Sequence, residues 1–409
     1  MKKTLLFLFV ILSNLSFSQT DSGDLESYLT TKLSNIPGDS GNNYTIPTNG
    51  NLTTWESVIN AILNNDIVTA RTHATTINYQ IVEYTNTSLS MNRVFYVLEE
   101  KATQTNYWGT FVFSKNPDRN NLILQAPHSA YDFNTGKQAI YCFNRLNNKA
   151  LFLNGTHRCN NSNASTCAGT TTVCSGSSAA FKVSDMAHNT DTMFQKTTEI
   201  LFNNIANSVF IQLHGFTKKS TDPYVILSNG TDKTPTTDYA SQIKTELLSV
   251  DNSLTFKLAH IDSWTRLVGF TNTQGRFING SANPCNTSAT TTSGRFIHIE
   301  QEKSKLRQDA TGWEKMNTAL ATVFSKTLNI DTFPNLLTFK TKNPFSDEVS
   351  FSGKNIQKVQ LFNAVGNLVF EKETSQELIT IKTKHLSSGI YFLKVATSFG
   401  TATKKLIRE

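Results

Sequence analysis

The stretch Leu122-Ile-Leu-Gln-Ala-Pro-His-Ser-Ala-Tyr-Asp132 is a short apolar run that stops at a proline and a histidine. A run of five such residues bounded by a turn signal has the length of a buried strand, and proline cannot donate to a sheet ladder. The pattern recurs three times. Ala150-Leu-Phe-Leu153 runs into Asn154-Gly-Thr-His157-Arg158. Val209-Phe-Ile-Gln-Leu213 runs into His214-Gly215-Phe216, and Arg295-Phe-Ile-His-Ile299 runs into Glu300-Gln301-Glu302. Helical spacing separates or follows these runs: Ala139, Ile140, Phe143 and Leu146 share one face, and further helices are expected at 191–205 and 311–324. Strands alternating with helices predict an α/β fold, a mostly parallel or mixed sheet with helices on both faces. Ligands of such sheets bind at the carboxyl ends of the strands. Those ends would gather His128, His157, Arg158, His214 and Glu300 along one edge. Six of the eight histidines fall between 128 and 298.

Two imidazoles and one carboxylate form a frequent catalytic zinc set, with the fourth position left to water. His128 and Asp132 from one loop and His214 from a later strand are the candidate zinc ligands. A carboxylate held off the metal can shuttle a proton to a leaving amine, and Glu300 is the candidate base. Arg158 offers a fixed charge to a substrate carboxylate or a developing oxyanion. His157, Asp185 and His188 are candidate substrate contacts. Each has a structural alternative: Asp132 as cap of a helix starting near Thr135, Glu300 paired with Arg276 or Arg307, Arg158 paired with Asp185, His188 as a fourth ligand or a cap.

The flanking sequence sets the context. Lys2 and Lys3 precede an apolar core at 5–12 and small or polar residues to Ser18, which reads as a secretory signal, 1–18, rather than a membrane span. Residues 20–50, rich in Asn, Ser, Thr and Gly, read as a loose lead-in. A helix built on Trp55, Val58, Ile59, Ile62 and Leu63 follows, then an antiparallel group at 79–84, 93–99 and 107–113. Export makes at least one disulfide expected, with one thiol left over from the odd count: Cys159, Cys167 and Cys174 cluster about a Gly/Ser/Thr-rich loop at 160–178 that such bonds would staple, Cys285 is remote, and Cys142, in a helical pattern, reads as a buried free thiol. The chain carries 38 Lys and Arg against 31 Asp and Glu. Eleven of the basic and six of the acidic residues lie in 335–409, so 19–334 is neutral at 25 against 25. A nucleic-acid groove in the main body has no charge support. No Gly-x-Ser-x-Gly elbow is present, which argues against a serine hydrolase.

Beyond Pro334 come short alternating runs with Gly366, Gly389 and Gly400 at the turns, the pattern of a small all-β sandwich. Asn343-Pro344-Phe345, Val359-Gln-Leu-Phe-Asn-Ala-Val-Gly366, Leu386-Ser-Ser-Gly-Ile-Tyr-Phe-Leu-Lys394 and the closing Lys404-Lys405-Leu-Ile-Arg408 resemble the type A C-terminal sorting domain of the Bacteroidetes type IX secretion system. That resemblance implies an export address recognised by the secretion machinery, and a cell-surface or secreted destination.

The body has a resemblance of its own. Ala126-Pro127-His128-Ser129, His214-Gly215, Gly275-Arg276-Phe277-Ile278-Asn279-Gly280 and Ile297-His298-Ile299-Glu300-Gln301-Glu302 resemble, in order, motifs of the zinc peptidase-like group. That group holds zinc carboxypeptidases, aspartoacylases and N-formylglutamate amidohydrolases. The resemblance covers about 120–325 and implies zinc, hydrolysis of an amide bond in a small peptide, N-acyl amino acid or polyglutamate-like substrate, and Arg276 as a further substrate contact. The sequence departs from the carboxypeptidase pattern by placing His-x3-Asp where His-x2-Glu is usual, and by the cysteine-bearing insertion at 159–174. The expected organisation is signal 1–18, lead-in 19–115, hydrolase-like domain 116–333 and sorting domain 338–409. The competing expectation is a non-catalytic surface or adhesion protein that keeps this fold.

Overall fold

The computed structural model describes residues 19–89, 91–326, 337–353, 355–397 and 400–409; the signal segment 1–18 and the punctuation at Pro334 lie outside them. The chain divides into two compact units, Met1–Lys326 and Thr327–Glu409.

In chain order the first unit holds β1 (Thr20–Gly23), α1 (Leu25–Ser34), α2 (Asn49–Leu63), α3 (Ile67–Thr76), β2 (Tyr79–Asn86), β3 (Arg93–Glu100), β4 (Thr110–Ser114), β5 (Arg119–Ala126), α4 (Thr135–Leu146) and β6 (Asn148–Leu153). A two-residue ladder, β7 (Thr170–Thr171) and β8 (Ala179–Ala180), precedes α5 (Met193–Asn204), β9 (Val209–Phe216), β10 (Val225–Ser228), α6 (Tyr239–Val250) and β11 (Phe256–Leu258). Then come α7 (Thr273–Ile278), β12 (Phe296–Glu302), a π-helical turn at Lys303–Arg307 and α8 (Ala310–Val323). Ten strands form one mixed sheet in the order β1-β2-β3-β4-β6-β5-β9-β12-β10-β11. Its centre, β6-β5-β9-β12, is parallel, and those are the four strands anticipated from their apolar runs.

Side chains alternate across this sheet, as a pleat requires. Leu122, Leu124, Leu151, Leu153, Ile211, Leu213, Ile297 and Ile299 pack with α1, α4, α6 and α8. Ile123, Ala150, Phe152, Phe210 and Phe296 pack with α2, α3, α5 and α7 on the other face. Because β6 lies on one side of β5 and β9 on the other, the connections diverge at β5, and the carboxyl ends of β5 and β9 open a crevice between them.

The lead-in is more ordered than its composition suggested. Asp24 caps α1 by accepting from the Glu26 N–H, and Leu25, Leu29 and Leu33 of that helix are buried. β1 adds a parallel strand beside β2. Thr48 and Asn51 form a capping box that starts α2 before the predicted point. The strands at 79–114 are the antiparallel flank of the same sheet, joined to it by β4 against β6.

The second unit is a sandwich of a three-stranded sheet, β13 (Leu337–Phe339), β14 (Glu348–Gly353) and β17 (Leu378–Lys382), and a four-stranded sheet, β15 (Ile356–Asn363), β16 (Leu368–Glu373), β18 (Gly389–Thr397) and β19 (Gly400–Arg408). Phe351, Ile379 and Ile381 from the first meet Val359, Leu361, Leu393 and Val395 from the second.

Candidate functional site

Pro127 ends β5 because it has no N–H to offer the ladder. The chain then turns, held by Ser129, whose N–H donates to Asn154 Oδ1 at 2.7 Å and whose hydroxyl donates to the Ala126 carbonyl at 2.7 Å. This tie to the end of β6 fixes His128 and Asp132 at the mouth of the crevice. On β9 and β12, Gln212, His214, His298 and Glu300 fall in the alternation of Phe210 and Phe296, so all four face α5 and α7. The parallel register sets His298 beside Gln212 and Glu300 beside His214.

Asp132 is the hub. Its Oδ2 lies 3.3 Å from His128 Nδ1 and 3.4 Å from His214 Nδ1, and accepts the Gly215 N–H at 3.2 Å. Its Oδ1 pairs with the Arg158 guanidinium. Burial disfavours its charge, but Arg158 and His128 outweigh burial and hold the carboxyl well below its usual range. Asp132 does not cap α4, whose N-cap is Asn134 with no side-chain bond. Arg158 takes Asp132 rather than Asp185.

The outer nitrogens of both rings are spoken for. His128 Nε2 lies 3.0 Å from Asp185 Oδ1, which also accepts the Ala187 N–H. His214 Nε2 lies 3.1 Å from Gln212 Oε1. The orientation of that amide is dictated from two backbone carbonyls. The Thr198 hydroxyl donates to Phe194 O, so it accepts from Gln125 Nε2, and Gln125 Oε1 accepts from Gln212 Nε2. Gln274 Nε2 donates to Met186 O, so Gln274 Oε1 also accepts from Gln212 Nε2. Both donors of Gln212 are used, and its oxygen faces Asn272 Nδ2 and His214 Nε2. His214 therefore carries its hydrogen on Nε2. Burial depresses its pKa to about 4, so the ring is neutral and its Nδ1 lone pair faces the Asp132 carboxylate. A lone pair and a carboxylate that close repel each other unless a proton or a metal ion lies between them. His128, whose pKa is raised by Asp132 and Asp185 against burial and Arg158, supplies a proton at the same point.

The donor set fits zinc. His128, Asp132 and His214 each offer one ligand atom within 4.8 Å of the others. Bonds of about 2.0–2.1 Å arranged tetrahedrally place ligand atoms roughly 3.3–3.4 Å apart. The Asp185–His128 and Gln212–His214 bonds are the outer contacts that hold ligating imidazoles in one tautomer. A second trio, His214, His298 and Glu300, also lies within 4.8 Å. There the two rings stack with centroids 4.3 Å apart at 29°, so their in-plane lone pairs run side by side rather than converging.

Glu300 stands next to the triad; its nearest basic side chain is His298, whose Nε2 is 3.9 Å from Oε1 and whose ring burial keeps neutral. Its Oε2 is buried without a hydrogen-bond partner, and neither Arg276 nor Arg307 pairs with it. Burial and the Asp132 charge push its pKa up to about 8. His188 stacks on Phe181 at 3.7 Å and lies 3.1 Å from Asp185, whose charge is sustained by His188 and His128 against burial. The structure does not bring His157 or Arg276 into this group. His157 Nδ1 accepts the Cys159 N–H, and its ring meets Tyr131 edge-on. Arg276 donates to the carbonyls of Phe270, Pro284 and Cys285 and so clamps a loop. That loop is stapled by Cys167–Cys285, while Cys159–Cys174 closes the insertion and Cys142 is free and buried. Sequence reasoning passed over His298 and the amide chain of Gln125, Gln212, Asn272 and Gln274. The spacing of His298 and Glu300 by two in a strand was the available signal for the first.

Among the described residues no helix is long and apolar enough to cross a membrane. No protein of curated function matches the sequence. Among solved structures, PorZ, a surface component of the type IX secretion system of Porphyromonas gingivalis, shares 13% identity over 20% of this chain at a TM-score of 0.17, and the chain spans 13% of its length. An immunoglobulin-like β-sandwich protein of Bacteroides vulgatus shares 15% identity over 18% of this chain and 94% of its own, with a TM-score of 0.15. An N-formylglutamate amidohydrolase of Ralstonia eutropha is a weak likeness: 10% identity, 53% of this chain, 96% of that one and a TM-score of 0.35. Residues 343–409 match the model of the secretion system C-terminal sorting domain. The second unit is thus a sorting domain, and it marks the chain for type IX export to the cell surface or beyond.

Proposed function

We propose that the exported chain is a metal-dependent hydrolase of amide bonds, with zinc held by His128 Nδ1, His214 Nδ1 and Asp132 Oδ2. The observation that carries this reading is the convergence of His128 Nδ1 and His214 Nδ1 on Asp132 Oδ2, at 3.3 and 3.4 Å, with the outer nitrogen of each ring held by Asp185 and Gln212. Bound zinc lowers the pKa of water toward about 7 and polarises a carbonyl. The residues of the chain supply the rest. Glu300 Oε2, buried and without a partner, takes up the proton of the attacking water and returns it to the leaving amine. Arg158 and the Gly215 N–H hold the Asp132 carboxylate in place, and Asp185 and Gln212 hold the two rings. Small peptides and N-acyl amino acids are the substrate class.

The test is metal content of the purified exported chain, beside His128→Ala and His214→Ala, followed by hydrolysis of N-acyl amino acids and short peptides. About one zinc per chain, lost in both variants, together with turnover abolished by Glu300→Gln, is expected. Correctly folded protein without stoichiometric metal overturns the hydrolase and leaves a surface protein that keeps the fold.

A further inference from the structure

His298 is a buried polar side chain with no part in the metal triad. The register sets it beside Gln212 of β9 on one side and Ser228 of β10 on the other. Both neighbours are engaged elsewhere: Gln212 with Gln125, Gln274, Asn272 and His214, and Ser228 with the Gly230 N–H. The His298 ring is held by shape. It stacks on His214 with centroids 4.3 Å apart. Gly269 closes on its edge; a Cβ there, where φ is +65°, would lie 2.8 Å from Cδ2. Nδ1 is buried without a hydrogen-bond partner. A buried polar atom left in this way costs free energy, and a phenyl ring would fill the same space without that cost. An imidazole here calls for a group that its other nitrogen can meet. The carboxylate within reach of Nε2 is Glu300, whose Oε1 is 3.9 Å away and whose Oε2 is also buried without a partner. The neutral ring carries one hydrogen. On Nδ1 that hydrogen would be a buried donor with no acceptor, and the Nε2 lone pair would face a carboxylate oxygen. On Nε2 it has Oε1 as its acceptor.

We infer that His298 is a positioning residue for Glu300: its Nε2–H donates to Oε1 when the carboxylate acts as base, and so turns Oε2 toward the proton it takes up. This rests on the hydrolase reading, in which Glu300 is that base. The gap of 3.9 Å is about 1 Å longer than a hydrogen bond. Contacts of catalytic groups are often long before substrate binds and shorten in the complex. The two side chains are two residues apart on one face of β12, so a turn of the Glu300 carboxyl is enough to close the gap. The imidazole is wedged between His214 and Gly269, which makes it the fixed partner and Glu300 the one that moves.

Two measurements test this. In the metal-free chain, with isotope-labelled histidine, nitrogen NMR reads which ring nitrogen of His298 carries the hydrogen. Nε2 is expected, and a hydrogen on Nδ1 overturns the role. The second measurement is kinetic, on the zinc-loaded exported chain with N-acyl amino acids and short peptides. His298→Phe keeps a ring of similar shape and removes the N–H. It should lower kcat by roughly 10–100-fold, with KM changed by less than about twofold and zinc content unchanged. His298→Gln returns an N–H near the place of Nε2 and should recover most of that loss, to within about fivefold of wild type. A histidine that only fills space predicts the reverse order, because phenylalanine replaces the stacked ring better than glutamine does. Wild-type kcat in His298→Phe, or a greater loss in His298→Gln than in His298→Phe, overturns the positioning role. The two readings fail separately. A chain that holds no metal and turns nothing over loses the hydrolase, and the hydrogen on Nε2 or Nδ1 still decides whether His298 serves Glu300. A chain that holds zinc and loses turnover in Glu300→Gln but not in His298→Phe keeps the hydrolase and loses the positioning residue.

Discussion

At the scale of single residues, the candidate site is governed by which atom carries a hydrogen. Gln212 has no freedom: both its donors and its acceptor are committed within a chain that begins at two backbone carbonyls. Gln212→Leu removes the acceptor of His214 Nε2–H and frees the ring to turn. The expected result is zinc affinity weakened by roughly 10–100-fold with secondary structure retained, read by competition with a chelator. Glu300 gives a second prediction, in metal-free protein. Its pKa is raised from about 4.3 in an unfolded chain to about 8 when folded. The folded state therefore holds a proton that the unfolded state has lost between those values, so this contribution is full below pH 4.3 and lost as pH rises toward 8. Glu300→Gln does not titrate, and its stability relative to wild type should rise from pH 5 to pH 8, at up to about 1.4 kcal/mol per pH unit. Urea denaturation of both proteins across that range is the check; parallel curves would place the Glu300 carboxylate in a polar setting. Of these residues, His128, His214 and Glu300 stood out in the sequence because each is the polar residue at the end of an apolar run. Gln212 did not, since a glutamine in a strand has no distinguishing spacing and its role depends on partners from α5 and α7.

At the scale of elements, the parallel block β6-β5-β9-β12 was readable because strands buried on both faces are apolar runs without alternation, and only their polar ends differ. Three features hid the rest. β10 is four residues long, too short for a periodic signal. In α1 the apolar spacing of Leu25, Leu29 and Leu33 is set among Ser, Thr and Lys, so composition masked it. The polar loops between β6 and α5 and between α7 and β12 carry no pattern, yet disulfide Cys167–Cys285 joins them across 118 residues of sequence. A crosslink closing so long a loop restricts the unfolded chain strongly, with an effect on the order of 2–4 kcal/mol. The Cys167→Ser/Cys285→Ser double variant should melt several degrees lower than wild type. It should still bind zinc, because His128, Asp132 and His214 belong to β9 and the turn after β5, and only their supports Arg158 and Asp185 come from a stapled loop. Loss of metal together with stability would instead make the staple part of the site.

At the scale of the whole molecule, the cores assign separate tasks to the two units. Every residue of the two clusters that cover the faces of the large sheet lies at or before Phe324, and every residue of the sandwich cluster lies at or after Leu337. Apolar burial is the main favourable term in folding, so each unit carries its own stabilisation and neither relies on the other for a core. The basic excess of the sequence follows the same division: eleven Lys and Arg against six Asp and Glu in 335–409, and neutrality before them. Net charge of this kind bears on solubility and association rather than on the fold. Cutting the chain after Lys326 should therefore separate the two functions. The truncated protein should keep its thermal transition within a few degrees, together with the metal binding and amide hydrolysis proposed for the first unit, while its route to the cell surface is lost and it accumulates inside the outer membrane. Fractionation of cells expressing either form, with metal content measured on each, is the check. A truncated chain that unfolds or sheds zinc would show that the second unit stabilises the first through more than its own core, and the division drawn from the clusters would fail.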